Sequence, residues 1–254
     1  HHGLICRDAI ECCLLADAGI TGPRHEIISG PKGYLGLAQW KTDPDLITSG
    51  FGERWEMPDV MMKTYTSCKG THTAIEGIID LMERHAFNAK DIASIHIDAA
   101  TSNWNLTCIP KEEKWHPQTI PECQFSLPYT VAMAAYEKKI FLDSFTPEAR
   151  SRKDVRNLMT QIHVTLNSNL PPWGAQLETI LKDGRRFSGE YIKIKGHPQN
   201  PFTEQELIDK FMMCIPYAAC PLEDNAVESV KNAILGLEEI DDVEKRLIIP
   251  LTPQ

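Results

Sequence analysis

The stretch LETILKDGRRFSGEYIKIK, residues 177–195, decides the fold class. Leu177 to Lys182 and Phe187 to Lys195 read as strands with a period near two on either side of Asp183-Gly184, and Asp-Gly between two such runs is a strong hairpin signal. Ile162, Val164 and Leu166 repeat the same period just upstream, so a further strand is predicted there. Ile92 to Ala100 also alternates, Ile92, Ser94 and His96 against Ala93, Ile95 and Ile97, as in a strand with one face buried more deeply. These strands are expected to share one small sheet.

Outward from the strands the period becomes helical. Ile75, Ile78, Ile79 and Met82 form the apolar stripe of a helix predicted from Ser67 to His85, with Ser67 or Thr66 as its N-cap. Further helices are predicted at 126–139, where Pro128 falls in the first turn, at 147–159, at 203–213 and at 223–237. Thr203 with Glu206 three residues later spells a capping box. Near the start, Ile5, Ala9, Cys12, Cys13 and Ala16 predict a packed helix over 4–18, stopped by Gly19. Glycines and prolines from Thr21 to Gly36 read as turns with a short helix beyond, and Asp43-Pro44-Asp45 as another loop. Gly30, Gly33 and Gly36 lack both the spacing and the preceding strand of a nucleotide-binding loop. The order is helical, then helices on a sheet, then helical, which is an α+β chain.

The 254 residues, 42% hydrophobic and 24% charged, suffice for one large or two modest domains. No run of eighteen apolar residues exists and the start lacks signal-peptide order, so a soluble, cytoplasmic chain is expected. A net charge of -9 disfavours nucleic acid and anionic membrane as partners; an anionic small molecule fits only if cations are concentrated in a cleft. The eight cysteines never form CxxC, so most are expected to be buried free thiols. The histidines offer no HExxH pair, so no metal is expected. The opening His1-His2-Gly3 has no initiator Met and reads as a trimmed or partial chain, its histidines native or the remnant of a tag.

Three segments in register resemble the MmgE/PrpD family. His1-x-Gly3 through Arg7 to Leu14-Leu15-Ala16 and Gly19-Ile20-Thr21-Gly22-Pro23 is similar to its "HxGxAA…LLAxxGFTGP" element. Lys63-Thr64-Tyr65-Thr66-Ser67-Cys68-Lys69-Gly70-Thr71-His72, preceded by Gly52-Glu53-Arg54-Trp55, looks like "KxYxxCxxxH". Gln124-Phe125-Ser126-Leu127-Pro128-Tyr129 looks like "QFSxPY". The resemblance implies an all-helical domain built from both chain ends, here 1–52 with 200–254, and an inserted α/β domain, 53–199, with helices on a mostly antiparallel sheet. It also implies no cofactor, a homodimer, and a long N-terminal helical segment ahead of the first element that carries further active-site residues.

Family members act on small polycarboxylates, chemistry that needs cations for the carboxylates, a group to move a proton and donors for the enolate-like charge. Lys63, ahead of a helix N-terminus, suits a carboxylate site, or is a solvated surface lysine. Cys68 and His72, four apart, are expected on one helix face, with His72 as acid, base or structural histidine and Cys68 lining the pocket. In some relatives a histidine stands where Cys68 stands here, a departure that bears on decarboxylation. Arg7 offers a carboxylate fork or is an exposed helix arginine. Tyr129 donates to substrate or is a buried tyrosine with one hydrogen bond. His1 falls on the "HxG" position. The resemblance thus implies a lyase, dehydratase or decarboxylase, on a citrate-like acid; an epimerase using the same proton abstraction, and a non-catalytic half needing an N-terminal partner, are the alternatives.

Overall fold

The structure, a computed structural model, describes residues 2–25, 27–28, 30, 33–37, 45 and 49–252. The chain forms two compact units, His1–Met57 and Pro58–Gln254. His1 and the expected turn at Asp43-Pro44 lie outside the described residues.

In the first unit, α1 spans His2–Asp17 and the short α2 spans Tyr34–Leu37. Leu35 is buried, and the turn before it is tied by Tyr34 N–H to Ile27 O and Leu35 N–H to Ile28 O. The expectation of a packed first helix is corrected: Ile5 and Leu14 are 59% and 65% exposed, and every described side chain of α1 faces solvent. An apolar stripe specifies burial only where an opposing apolar face meets it.

The second unit carries the sheet, in the order β2-β1-β3-β4, with β1 at Ile92–Ala99, β2 at Ile162–Leu166, β3 at Ala175–Leu181 and β4 at Arg186–Tyr191. β1 pairs parallel with β2 and antiparallel with β3, and β3 pairs antiparallel with β4, so the architecture is α+β. The hairpin closes at Asp183-Gly184, where Gly184 has φ +89, a left-handed backbone that an L side chain resists. In β1 a register shift between Ile92 and Ser94 breaks strict alternation, so Ile92 is buried alongside Ile95 and Ile97.

α3, His72–His85, lays Ile75, Ile78, Leu81 and Met82 on the inner sheet face, against Ile95, Ile97 and Leu177. α4, Thr101–Thr107, follows β1. α5, Leu127–Glu137, packs beside α3; Ser126 caps it by accepting Tyr129 N–H, and Pro128 sits where no N–H is needed. The helix expected over 147–159 is two, Pro147–Arg150 and α6 at Lys153–Met159, because Ser151 and Arg152 turn the chain between them. Capped by Thr203 through the expected box, α7 spans Glu204–Cys214, and α8 spans Asp224–Leu235. All eight cysteines are free. Only Cys68, Cys108 and Cys123 are buried, since Cys6, Cys12 and Cys13 ride on uncovered α1 and Cys214 ends α7. Among the described residues no helix is long and apolar enough to cross a membrane.

Candidate functional site

The helix expected from Ser67 does not begin there. Cys68 is extended (φ -60, ψ 137), Lys69–Thr71 make one 3-10 turn, and the α-helix begins at His72. The cause is tertiary. Cys68 N–H donates to Gln124 O at 2.9 Å, and Gln124 Nε2 donates to Thr66 O at 2.9 Å, so the start of the "QFSxPY" segment clamps this loop from both sides. Neither expected N-cap acts on α3; the Ser67 and Thr71 hydroxyls bond each other at 2.8 Å, and Thr71 Oγ1 donates to Cys68 O. Gly196 holds the other flank: Met62 N–H donates to Gly196 O at 3.0 Å, and Thr64 Oγ1 to Lys195 O at 3.0 Å.

Lys63 Nζ reaches forward to Ser67 O at 3.0 Å, and Lys210 of α7 donates its Nζ to Lys63 O. Lys69 Nζ lies 3.9 Å from the centre of the Trp173 ring. None of these three lysines has a carboxylate within 4.0 Å among the described residues, whereas nearby Lys195 is paired with Glu206 at 2.8 Å. Burial holds both the Lys69 and Lys210 ammonium groups below the usual lysine range; Cys68 and Cys214 respectively oppose it, and the repulsion of Lys63 adds a smaller push in the same direction as burial. The first turn of α3 contains no acid. A helix N-terminus favours negative charge, so collecting unpaired cations there leaves a local positive excess in a chain whose net charge is -9.

His72 closes the loop from within. Its side chain is fully buried, edge-on to the Tyr65 ring at 5.2 Å between centroids, and neither ring nitrogen has a hydrogen-bond partner among the described residues. Burial pushes its pKa down to about 4, helped by Lys63 and Lys210 and opposed by the Ser67 and Tyr65 backbone, which approaches the ring without completing a hydrogen bond of good geometry. The ring is therefore neutral at pH 7. Tyr65 is held well above the usual tyrosine range by burial, with Glu76 and Glu83 adding to it.

Lys63, Cys68 and His72 are thus gathered on one loop, though Cys68 precedes the helix rather than sharing its face. Tyr129 lies elsewhere in the same unit. It is fully buried, donates its hydroxyl to Ser144 O at 2.7 Å, and has the Arg156 guanidinium 5.5 Å from its ring centre. Arg7 belongs to the first unit, where it is exposed and bonded to Asp8 at 2.8 Å. Sequence reading missed Gln124 as a clamp and Lys69 as a member of the cation group, although both stood in quoted segments, and missed Trp173 and Lys210, for which no local signal exists. Among the described residues no group of three or more His, Cys, Asp or Glu side chains is arranged to hold a metal ion.

Residues 65–233 match the MmgE/PrpD C-terminal domain. The cis-aconitate decarboxylase-like protein oryM of Aspergillus oryzae is 20% identical over 98% of this chain and 53% of its own length. Cis-aconitate decarboxylase of Mus musculus is 22% identical over 95% of this chain and 50% of its own length. The chain therefore spans about half the length of the curated relatives it matches. With the family's domain covering the sheet, the clamped loop and most of the helices, the chain belongs to the MmgE/PrpD family.

Proposed function

We propose that this chain carries the carboxylate-binding part of a lyase, a dehydratase or decarboxylase, that acts on a small citrate-like acid. The observation that carries the reading is the group of unpaired lysines, Lys63, Lys69 and Lys210, at the acid-free N-terminus of α3, directly beside a buried neutral histidine. Two relatives with cis-aconitate decarboxylase in their names support it.

In this reading Lys63 and the helix N-terminus bind one carboxylate, and Cys68 lines the floor. A bound anion beside His72 raises its proton affinity from the present low value towards neutrality, so the imidazole becomes a base only once substrate is seated. Tyr129 is engaged by Ser144 and Arg7 lies in the other unit, so the proposal rests on Lys63, Cys68 and His72. Residues 1–52 and 200–254 forming one helical domain, and a homodimeric assembly, belong to the same proposal; sedimentation equilibrium checks the latter.

The test is turnover by the complete gene product with cis-aconitate and 2-methylcitrate. Release of carbon dioxide or water, lost in Lys63→Ala, supports the reading. Unchanged turnover in that variant removes Lys63 from the mechanism. One second reading is an epimerase that uses the same proton abstraction; solvent deuterium entering recovered substrate without loss of water or carbon dioxide would establish it.

A further inference from the structure

Among the described residues three that are not glycine have positive φ. Ala86 and Lys138 cap the ends of α3 and α5, where a left-handed residue is ordinary. Trp173, with φ +69, ends no helix. It sits in Pro171-Pro172-Trp173-Gly174, ahead of β3, in a conformation that glycine or asparagine would adopt with less strain. Its backbone is nonetheless fixed from two helices. Trp173 N–H donates to Ser102 Oγ at 2.8 Å, and Trp173 O accepts from Thr73 Oγ1 at 2.8 Å and from Asn103 Nδ2 at 3.3 Å. Asn103 and Thr73 are fully buried, and Asn103 Nδ2 also donates to Gly174 O at 3.1 Å. If backbone geometry alone mattered here, tryptophan would be a poor occupant; its side chain is what the position holds in place.

That indole is half-buried and lies against Lys69 Nζ, 3.9 Å from the ring centre, so the ammonium is steadied by the ring face rather than by a carboxylate. Lys69 stands between Cys68 and His72, is itself half-buried, and feels the repulsion of Lys63. The fully buried His72, with both ring nitrogens unpartnered, lies within the same field. We propose that Lys69 and Trp173 form the specificity wall of this anion site, Lys69 binding the carboxylate farthest from Lys63 and the indole limiting the length of the acid accepted. The proposal rests on the reading of the 63–72 loop as a carboxylate site.

The experiment is titration calorimetry of the complete gene product with tricarballylate, a three-carboxylate probe, with glutarate and pimelate, two-carboxylate probes of different length, and with butyrate, a one-carboxylate probe. Variants are Lys63→Ala, Lys69→Gln, Trp173→Phe and Trp173→Gly; the last keeps the left-handed turn without strain. Lys69→Gln should weaken tricarballylate and glutarate alike, by about tenfold or more, as loss of a charge-assisted hydrogen bond to the far carboxylate does, and change butyrate, whose one carboxylate goes to Lys63, by less than about twofold. Trp173→Gly should improve pimelate relative to glutarate, while Trp173→Phe keeps the wild-type order. Equal losses for glutarate and butyrate in Lys69→Gln, or an unchanged length preference in Trp173→Gly, overturn the wall while leaving the carboxylate site standing. A wild-type protein that binds none of these acids, or binding indifferent to Lys63→Ala, overturns the site reading and the wall together.

Discussion

His72 makes stability depend on pH in a window where few other groups act. Its folded-state pKa of about 4 lies below the 6.5 of an unfolded histidine, because burial penalises the imidazolium. Above pH 6.5 both states hold the neutral ring and nothing is lost. As the pH falls from 6.5 towards 4, the unfolded chain takes up a proton that the folded chain refuses, so stability falls. The loss is about 2 kcal/mol at pH 5 and about 3 kcal/mol once the pH is below both values. Because the ring is fully buried, solvent does not screen this effect. Two carboxylates act near the lower edge of this window. Glu206, held down to about 2 by Lys195 and Thr203, loses its contribution only below about 4.5. Glu76, raised by burial, works in the opposite direction just above 4.5, so the comparison must be between variants. Urea unfolding followed by near-UV circular dichroism, at pH 7, 6 and 5, in wild type and in the non-titrating His72→Leu and His72→Gln, isolates the term. The wild-type midpoint should drop by about 1 M more than either variant's between pH 7 and 5. Parallel curves for all three proteins would refute the argument that the ring is folded away neutral.

Three further outcomes follow from the clamped loop and its surroundings. Gln124→Ala removes the donor to Thr66 O and should cost about 1 kcal/mol, with faster amide exchange in residues 64–69 than in α5. Tyr129→Phe leaves the buried Ser144 carbonyl without its donor and should lower stability by about 1 to 3 kcal/mol in thermal unfolding. Gly196→Ala puts a Cβ against Met62 O on a backbone with φ +86; a destabilisation of about 2 kcal/mol or more is expected, together with weaker anion binding, since Lys63 adjoins the displaced residue. Retention of wild-type stability and binding in that variant would mean that the Gly196 contact does not fix the loop.

The sequence by itself determined the elements whose signals are local. Asp183-Gly184 between alternating runs specified the hairpin, Thr203 with Glu206 specified the start of α7, and Ser126-Leu127-Pro128 specified the start of α5, because in each a few consecutive residues supply both the geometry and the hydrogen bonds. The family segment likewise brought Lys63, Cys68 and His72 into view together. Tertiary structure decided the rest. Only the bond from Cys68 to Gln124, fifty-six positions on, explains why the α-helix starts at His72 instead of Ser67. Only packing makes His72 a neutral, buried ring, since desolvation is a property of neighbours and not of spacing. Trp173 and Lys210 come to the loop from separate parts of the chain, and no periodicity records which side chains a fold will bring together. The same reasoning applies to α1, whose apolar residues announce a helix but not what, if anything, covers it.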